Sequence, residues 1–117
     1  MTATFVELSH FVSDWQHLRL TDDDLRALQS LIMHRPESGK VIPGTGGMRK
    51  IRFAPPSWSR GKSGSARVCY ACFLKATRIY LLAAYGKNEK ENLDAQEKAY
   101  YAELLKRISK IFDVQES

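Results

Sequence analysis

Two runs rich in aromatic and aliphatic residues, Ala66–Leu74 and Thr77–Tyr85, are separated by only Lys75-Ala76. So short a connection cannot carry a crossover, so the runs must fold back on each other as an antiparallel hairpin on which the rest of the chain packs. Further strands are expected at Thr4–Leu8, where Phe5 and Val6 favour extended backbone, and at Met48–Phe53. In the second of these, Ile51 and Phe53 fall on one face and Lys50 and Arg52 on the other, the pattern of a half-buried strand carrying cations outward.

Helical segments account for most of the remainder. Ser9 is placed to cap a short helix through about His17, with Phe11, Val12 and Trp15 on one face. Thr21-Asp-Asp-Asp24 sets a capping hydroxyl and three carboxylates at the positive end of a second helix. Leu25, Leu28 and Ile32 follow at helical spacing, with Leu31 alongside, and Pro36 and Gly39 stop it. Asp94-x-x-Glu97 is a capping-box variant opening a last helix, whose apolar stripe is Tyr101, Leu104, Leu105, Ile108 and Phe112. The order β-α-α-β-β-β-α predicts one α+β domain over residues 1–117, with two N-terminal helices and a C-terminal helix packed on an antiparallel sheet.

The charge is unevenly placed. Gly39–Lys90 contains eleven Lys or Arg against one acid, Glu89, while the flanks hold seven basic and twelve acidic residues. A block of that sign attracts polyanions and speeds their encounter, so nucleic acid is the expected partner. At 44% hydrophobic residues the chain can bury an ordinary core. It has no apolar run near about 18 residues and no basic-then-apolar start, so neither a membrane span nor a signal peptide is read, and a cytoplasmic location is expected. Cys69 and Cys72 form a C-x-x-C, but on a strand residues three apart point to opposite faces, which argues against a disulfide or a shared metal.

Several motifs fail on their surroundings. Gly44-Thr-Gly-Gly47 looks like a phosphate loop, yet a strand follows it where phosphate cradling needs a helix N-terminus. Gly61-Lys62-Ser63 echoes the end of a Walker A motif, but Pro56 stands where its glycine is required. His10, His17 and His34 lie outside the basic block, and no compact carboxylate cluster suggests Mg²⁺, so no metal and no cofactor is expected.

What remains is a cationic constellation: Arg49, Lys50, Arg52, Arg60, Lys62, Arg67 and Lys87, with Tyr85 and Asn88 at the end of a strand. If the strands pair as described, the ends of these segments converge on one edge of the sheet. The set suits phosphoryl transfer in RNA with the 2′-OH as nucleophile, which needs a proton acceptor, a donor for the leaving oxygen and cations for the developing charge. A lysine among crowded positive neighbours is one source of a base, and arginines clamp the phosphate. A non-catalytic RNA-binding face would use the same residues, and charge alone does not separate the two; a groove that captures an acidic peptide is a third reading.

The segments Val41-Ile-Pro-Gly-Thr-Gly-Gly-Met-Arg-Lys-Ile-Arg52, Arg60-Gly-Lys62, Ala66-Arg67-Val68 and Tyr80-Leu-Leu-Ala-Ala-Tyr-Gly-Lys-Asn-Glu89, in that order, resemble the RelE/HigB-type toxins of bacterial type II toxin–antitoxin systems, particularly the HigB-like branch. The resemblance covers roughly residues 4–108. It implies a RelE-like fold, metal-independent cleavage of mRNA on the ribosome, and a co-encoded HigA-like helix-turn-helix antitoxin through which alone the toxin meets operator DNA. Carried over, Arg49, Lys50 and Arg52 occupy the family's basic strand, Arg60 and Lys62 its basic loop, Arg67 its strand arginine, and Tyr85 and Lys87 its carboxy-terminal site positions. Arg67, Lys87, Tyr85 and Lys50 are thereby the catalytic candidates, with Arg67 and Lys87 closest to the scissile phosphate. Arg49, Arg52, Arg60, Lys62 and Asn88 are the candidates for holding RNA. Relatives commonly read Gly-Lys-Arg-Gly-Gly-Ala-Arg, whereas this chain has Gly61-Lys-Ser-Gly-Ser-Ala-Arg67, one cation fewer, after a bulkier Pro55-Pro56-Ser57-Trp58 loop. A decayed toxin that keeps only antitoxin binding is the alternative. The antitoxin is expected either over the groove or on the helical side, around Phe11, Trp15 and Leu18.

Overall fold

The computed structural model describes residues 2–58, 64–87, 89 and 92–116, with side chains up to Phe112 in the last helix. The expected hairpin is its centre. Strands Ala66–Phe73 and Arg78–Gly86, β4 and β5 in chain order, pair antiparallel from Phe73↔Arg78 to Ala66↔Gly86. The link between them is a 3-10 turn over Leu74–Ala76, closed by Thr77 in the left-handed region at φ 52°. Strand β3 (Arg49–Phe53) pairs antiparallel with β4, and the two-residue β2 (Lys40–Val41) with β3, while β1 (Thr4–Glu7) lies beside β5. The sheet order is β1-β5-β4-β3-β2. The α+β class and the element order follow the sequence, with two additions. β1 runs parallel to β5, so the sheet is mixed, and β2 is a further short strand.

The helices divide between the two faces of this sheet. Helices α1 (Ser9–His17) and α2 (Asp22–His34) cover one face, burying Phe11, Trp15, Leu28 and Ile32 against Phe53, Val68, Tyr70, Ile79 and Leu81. Helix α3 (Ala95–Glu116) covers the other, where Tyr101, Leu105 and Ile108 meet Met48, Cys69, Ala71, Leu82 and Tyr85. Period-two alternation along β4 produces both cores from one strand: Val68 and Tyr70 point one way, Cys69 and Ala71 the other. Cys69 and Cys72 accordingly lie on opposite faces as free thiols. Burial pushes the Cys72 thiol up to about 11, which keeps it a neutral core group.

Local chemistry fixes the helix ends. Thr21 and Asp24 form a reciprocal capping box at α2, and Asp94 and Glu97 exchange the same pair of bonds at α3, at 3.0 and 2.8 Å. At α1 the expected Ser9 cap is replaced. Leu8 holds the cap position without a side-chain bond, and the helix is anchored instead by burial of Phe11 and Trp15 and by Asp14, which accepts from Ala84 N at 2.9 Å. Ala84 follows a bulge in β5, where the register passes from Tyr70↔Leu81 to Cys69↔Ala83 and Leu82 is the extra residue. Phe11 and Trp15 are therefore core residues at 0% and 7% exposure, not the apolar docking surface expected at the start of the chain. No described helix is long and apolar enough to cross a membrane.

Candidate functional site

Strand register decides which cations meet. Arg52 lies directly opposite Arg67, and Arg67 opposite Tyr85, so the three side chains share one face of the sheet. One row further, Lys40 lies opposite Lys50 and Lys50 opposite Cys69. Because Cys69 and Tyr85 belong to the α3-side core, all these cations stand on that side. They border an open groove of about 470 Å³ lined by Ser38, Gly39, Lys40, Lys50, Ile51, Arg52, Arg67, Lys87 and Asn92. Five of the nine are Lys or Arg, none is acidic, and none comes from α3. The helix thus leaves open the part of its face where the charge is gathered.

This arrangement does not serve folding. Like charges directly opposite in a sheet are destabilising, and Arg52 and Arg67 are such a pair. The described bonds that orient the groove's cations include two to neutral acceptors: Arg67 Nη1 donates to Ser65 Oγ at 2.8 Å, and Lys50 Nζ to Asn92 Oδ1 at 3.0 Å. Such bonds fix the direction of each donor, as an anion site requires.

Arg49, one residue before this set, has a different task. It lies opposite Tyr70 and so faces the α1/α2 side. Its Nη1 donates to Gly39 O at 2.8 Å and Glu37 O at 2.9 Å, and Nη2 stands 3.5 Å from Glu37 Oε2. Tyr70 supports the same segment, donating to Pro36 O at 2.8 Å and accepting from Gly39 N at 3.0 Å. A Cβ on Gly39 would come within 2.6 Å of that hydroxyl, so this approach requires glycine. The segment borders the groove through Ser38 and Gly39, which makes Arg49 a buttress of its rim.

The glycine-rich loop also proves structural. Pro43–Gly47 connects β2 to β3, with Gly44, Gly46 and Gly47 at φ 80°, 75° and 111°. The buried Thr45 hydroxyl donates to Ile42 O at 2.6 Å and accepts from Met48 N at 3.1 Å, closing a hairpin that holds Lys40 beside Lys50. No phosphate cradle is built there.

Of the catalytic candidates, Lys50, Arg67 and Lys87 line the groove together, joined by Arg52 from the RNA-holding set. Tyr85 is adjacent but only 3% exposed, and burial pushes its phenol well above the usual tyrosine range, partly offset by Arg67. It stays protonated at ordinary pH and so supplies no phenolate base. Arg49 is held on the opposite face. Arg60, Lys62 and Asn88 lie outside the described residues, as does Gly61-Lys62-Ser63. Lys40 and Asn92 complete the lining without having been singled out in the sequence. The signal for Lys40 was present: the loop that folds β2 on β3 sets it opposite Lys50. The histidines lie elsewhere, His10 3.4 Å from Asp14 and His17 3.5 Å from Glu89. Among the described residues no three His, Cys, Asp or Glu side chains gather to hold a metal.

No model of a known protein family matches the sequence. The architecture, however, has solved counterparts. One is a mutant of the E. coli toxin RelE in its free state, which aligns with a TM-score of 0.54 over 92% of this chain and 99% of that one, at 16% identity. The chain has a RelE-like fold. At that identity the likeness concerns the backbone, so what a RelE-like sheet does here has to be argued from its own side chains. These offer cross-strand arginines and flanking lysines, with no carboxylate among the described residues that line the groove. Such a site can bind a polyanionic backbone and stabilise extra negative charge on a phosphate.

Proposed function

We propose that the chain is the toxin of a toxin–antitoxin module, in the HigB-like branch of the RelE-type toxins, and that it inhibits translation as a cytoplasmic, ribosome-dependent mRNA endonuclease. The observation that carries this reading is the directly opposed Arg52–Arg67 pair in a groove where five of the described lining residues are cations. The RelE-like fold supports it, since the solved counterpart is itself a toxin.

In the proposed reaction the 2′-oxygen attacks the adjacent phosphorus as the bond to the 5′-oxygen breaks, leaving a cyclic phosphate and a free hydroxyl. One proton leaves the 2′-OH and one reaches the departing oxygen. Arg52 and Arg67 bracket the phosphate and stabilise the charge that grows on its outer oxygens. Lys50 and Lys87 are proposed to stand beside the reacting oxygens, and Tyr85 contributes at most a hydrogen bond. Lys40 adds to the hold on RNA, and Arg60, Lys62 and Asn88 are proposed to extend it. With no histidine in the groove the acid–base equipment is modest, which suits a substrate that the ribosome delivers already bent toward in-line attack. A co-encoded HigA-like helix-turn-helix antitoxin is proposed to restrain the activity and to make any contact with operator DNA.

The test is induced expression in bacteria, with growth and the 5′ ends of cellular RNA followed for wild type and Arg67→Ala. The expected result is arrest with cuts inside translated messages for wild type only. A wild-type protein that binds RNA and leaves it whole would return the groove to plain binding.

A further inference from the structure

Along the first part of β5 the side chains alternate between the two faces of the sheet. Ile79 and Leu81 join the core under α1 and α2, while Tyr80 packs against the core under α3. Past Leu81 the alternation slips: Leu82 and Ala83 both face α3, Ala84 faces α1 and α2, and Tyr85 faces α3 again. The slip is the bulge, in which Leu82 is the extra residue. With an unbroken period of two, Tyr85 would point into the α1/α2 core, and Lys87, two residues on, away from Arg67. One inserted residue thus decides whether the end of β5 serves the groove.

A bulge locally disrupts its ladder, so something has to hold it. Strand β1 accompanies β5 only as far as Glu7↔Leu81, and Leu8 N ends that contact on Leu81 O at 3.1 Å. From there α1 takes over. Asp14 Oδ2 accepts from Ala84 N at 2.9 Å, a charge-assisted bond between residues 70 apart, and the same oxygen lies 3.4 Å from His10 Nε2. Three residues on, His17 Nε2 stands 3.5 Å from Glu89 Oε1, and Glu89 N donates to Gly86 O at 3.0 Å. Helix α1 therefore meets the chain on both sides of Lys87.

We propose that the bulge at Leu82 aims the end of β5 at the groove, and that Asp14 is the positioning residue that holds it there. The inference rests on the RNA-binding reading of the groove for its functional consequence, and on the fold alone for its geometry. Asp14 is not among the residues lining the groove, so it acts through the backbone of Ala84. Loss of its bond frees the last residues of β5 and withdraws Lys87. Arg52 and Arg67, held by the pairing of β3 with β4, stay in place.

The test compares wild type with Asp14→Ala, Asp14→Asn and Lys87→Ala in two measurements. The first, amide hydrogen exchange, needs no ligand. Asp14→Ala should speed exchange at Ala84 by at least about tenfold, while Ile79, Tyr80 and Leu81 keep their wild-type rates. Asp14→Asn, whose amide oxygen can still accept, should restore most of the protection, which separates the bond from the charge beside His10. The second is the salt dependence of binding to oligouridylate, below the melting temperature of every variant. Lys87→Ala should make the log–log slope shallower by about 0.7, Asp14→Ala by a similar amount, and the double variant no further. A merely structural Asp14 would lower the melting temperature and leave the slope alone. Wild-type exchange at Ala84 in Asp14→Ala, or a slope that Asp14→Ala does not move, overturns the proposal while the groove stands. Failure of wild type to bind oligouridylate overturns the RNA-binding reading and the functional consequence with it, and faster exchange in Asp14→Ala would then still uphold Asp14 as the holder of the bulge.

Discussion

The two faces of the one sheet treat charge in opposite ways. On the α1/α2 side, each buried or half-buried charge is bound into the fold. Asp14 accepts from Ala84 N, Asp24 takes bonds from Thr21 and Ser57, and Arg49 donates to two carbonyls and sits near Glu37. On the α3 side, beyond the reach of the helix, Arg52 and Arg67 stand opposite one another and Lys40 opposite Lys50, repelling across the strands. Arginines three residues apart on one strand, Arg49 and Arg52, thus serve two ends. One closes a loop, and the other waits for an anion. The first kind stabilises the protein; the second costs stability and has to be explained by what it binds.

The largest effect that tests this contrast is on activity. Arg67→Ala should lower cleavage by about 10²–10³, the loss seen when one preorganised donor to a developing oxyanion is removed. The same substitution should change unfolding free energy by less than about 0.5 kcal/mol, because it also relieves the repulsion with Arg52. Activity and thermal melting measured on one sample decide the matter. Loss of both in parallel would make Arg67 a structural residue like Arg49.

Next in size is Asp24, the fully buried carboxylate of the other face. Ser57 N donates to it at 3.0 Å and Ser57 Oγ at 2.5 Å, while Thr21 N donates at 3.0 Å, so it joins the start of α2 to the 3-10 turn at Pro56–Trp58. Asp24→Ala should cost about 2–3 kcal/mol through loss of the cap and of buried hydrogen bonds. Burial opposes ionisation of this carboxyl, but the bonds from Ser57 and Thr21 outweigh it and hold the pKa below its ordinary 3.8. A depressed carboxylate contributes stability that is complete above the unfolded value and lost as pH falls through the folded one. The gap between wild type and Asp24→Asn should therefore be constant near neutrality and close on acidification below about pH 4. Denaturant titrations at several pH values measure it, and a gap that persists in acid would remove ionised Asp24 from the fold's supports. Arg49→Ala follows, expected to cost about 1–2 kcal/mol for its carbonyl bonds while sparing activity more than Arg67→Ala does.

How far the sequence spoke for itself depended on the range of the interaction. The β4–β5 hairpin, both capping boxes and the three helices are written in residues within about four positions of one another, and they formed where local chemistry placed them. The parallel docking of β1 on β5 and the link from Asp24 to Ser57 have no local signature, because their partners lie 33 or more residues apart, and no residue type announces the bulge at Leu82. β2 is two residues long, too short for alternation to show. Arg49 is more instructive. The alternation that sets Lys50 and Arg52 opposite to Ile51 and Phe53 also sets Arg49 with Ile51, away from the other cations. Grouping it with them by charge overrode a period-two rule already in use. Lys50, Arg52 and Arg67, by contrast, were legible because a strand ladder gathers what alternation and charge both point to, and Lys87 follows directly on the end of β5.

The smallest effect is the one that separates the two arginines most cleanly, since it depends on contact with phosphate and not on stability. A protein that neutralises phosphates releases counterions, and on single-stranded RNA the log of the affinity falls with the log of salt at roughly 0.7 per contact, so the five cations of the groove predict a slope near −3.5. Arg52→Gln removes one such contact and should make the slope shallower by about 0.7. Arg49→Gln removes a cation of the same type from the same strand but from the other face, where its charge already lies beside Glu37, and should leave the slope unchanged. Both proteins keep the same net charge, so any difference between them is one of position. The measurement is a binding titration of a short RNA across a range of salt, below the temperature at which either variant begins to unfold. Equal slopes for the two variants would mean that RNA senses the block of positive charge as a whole, and the division of labour between the faces would lose its functional half.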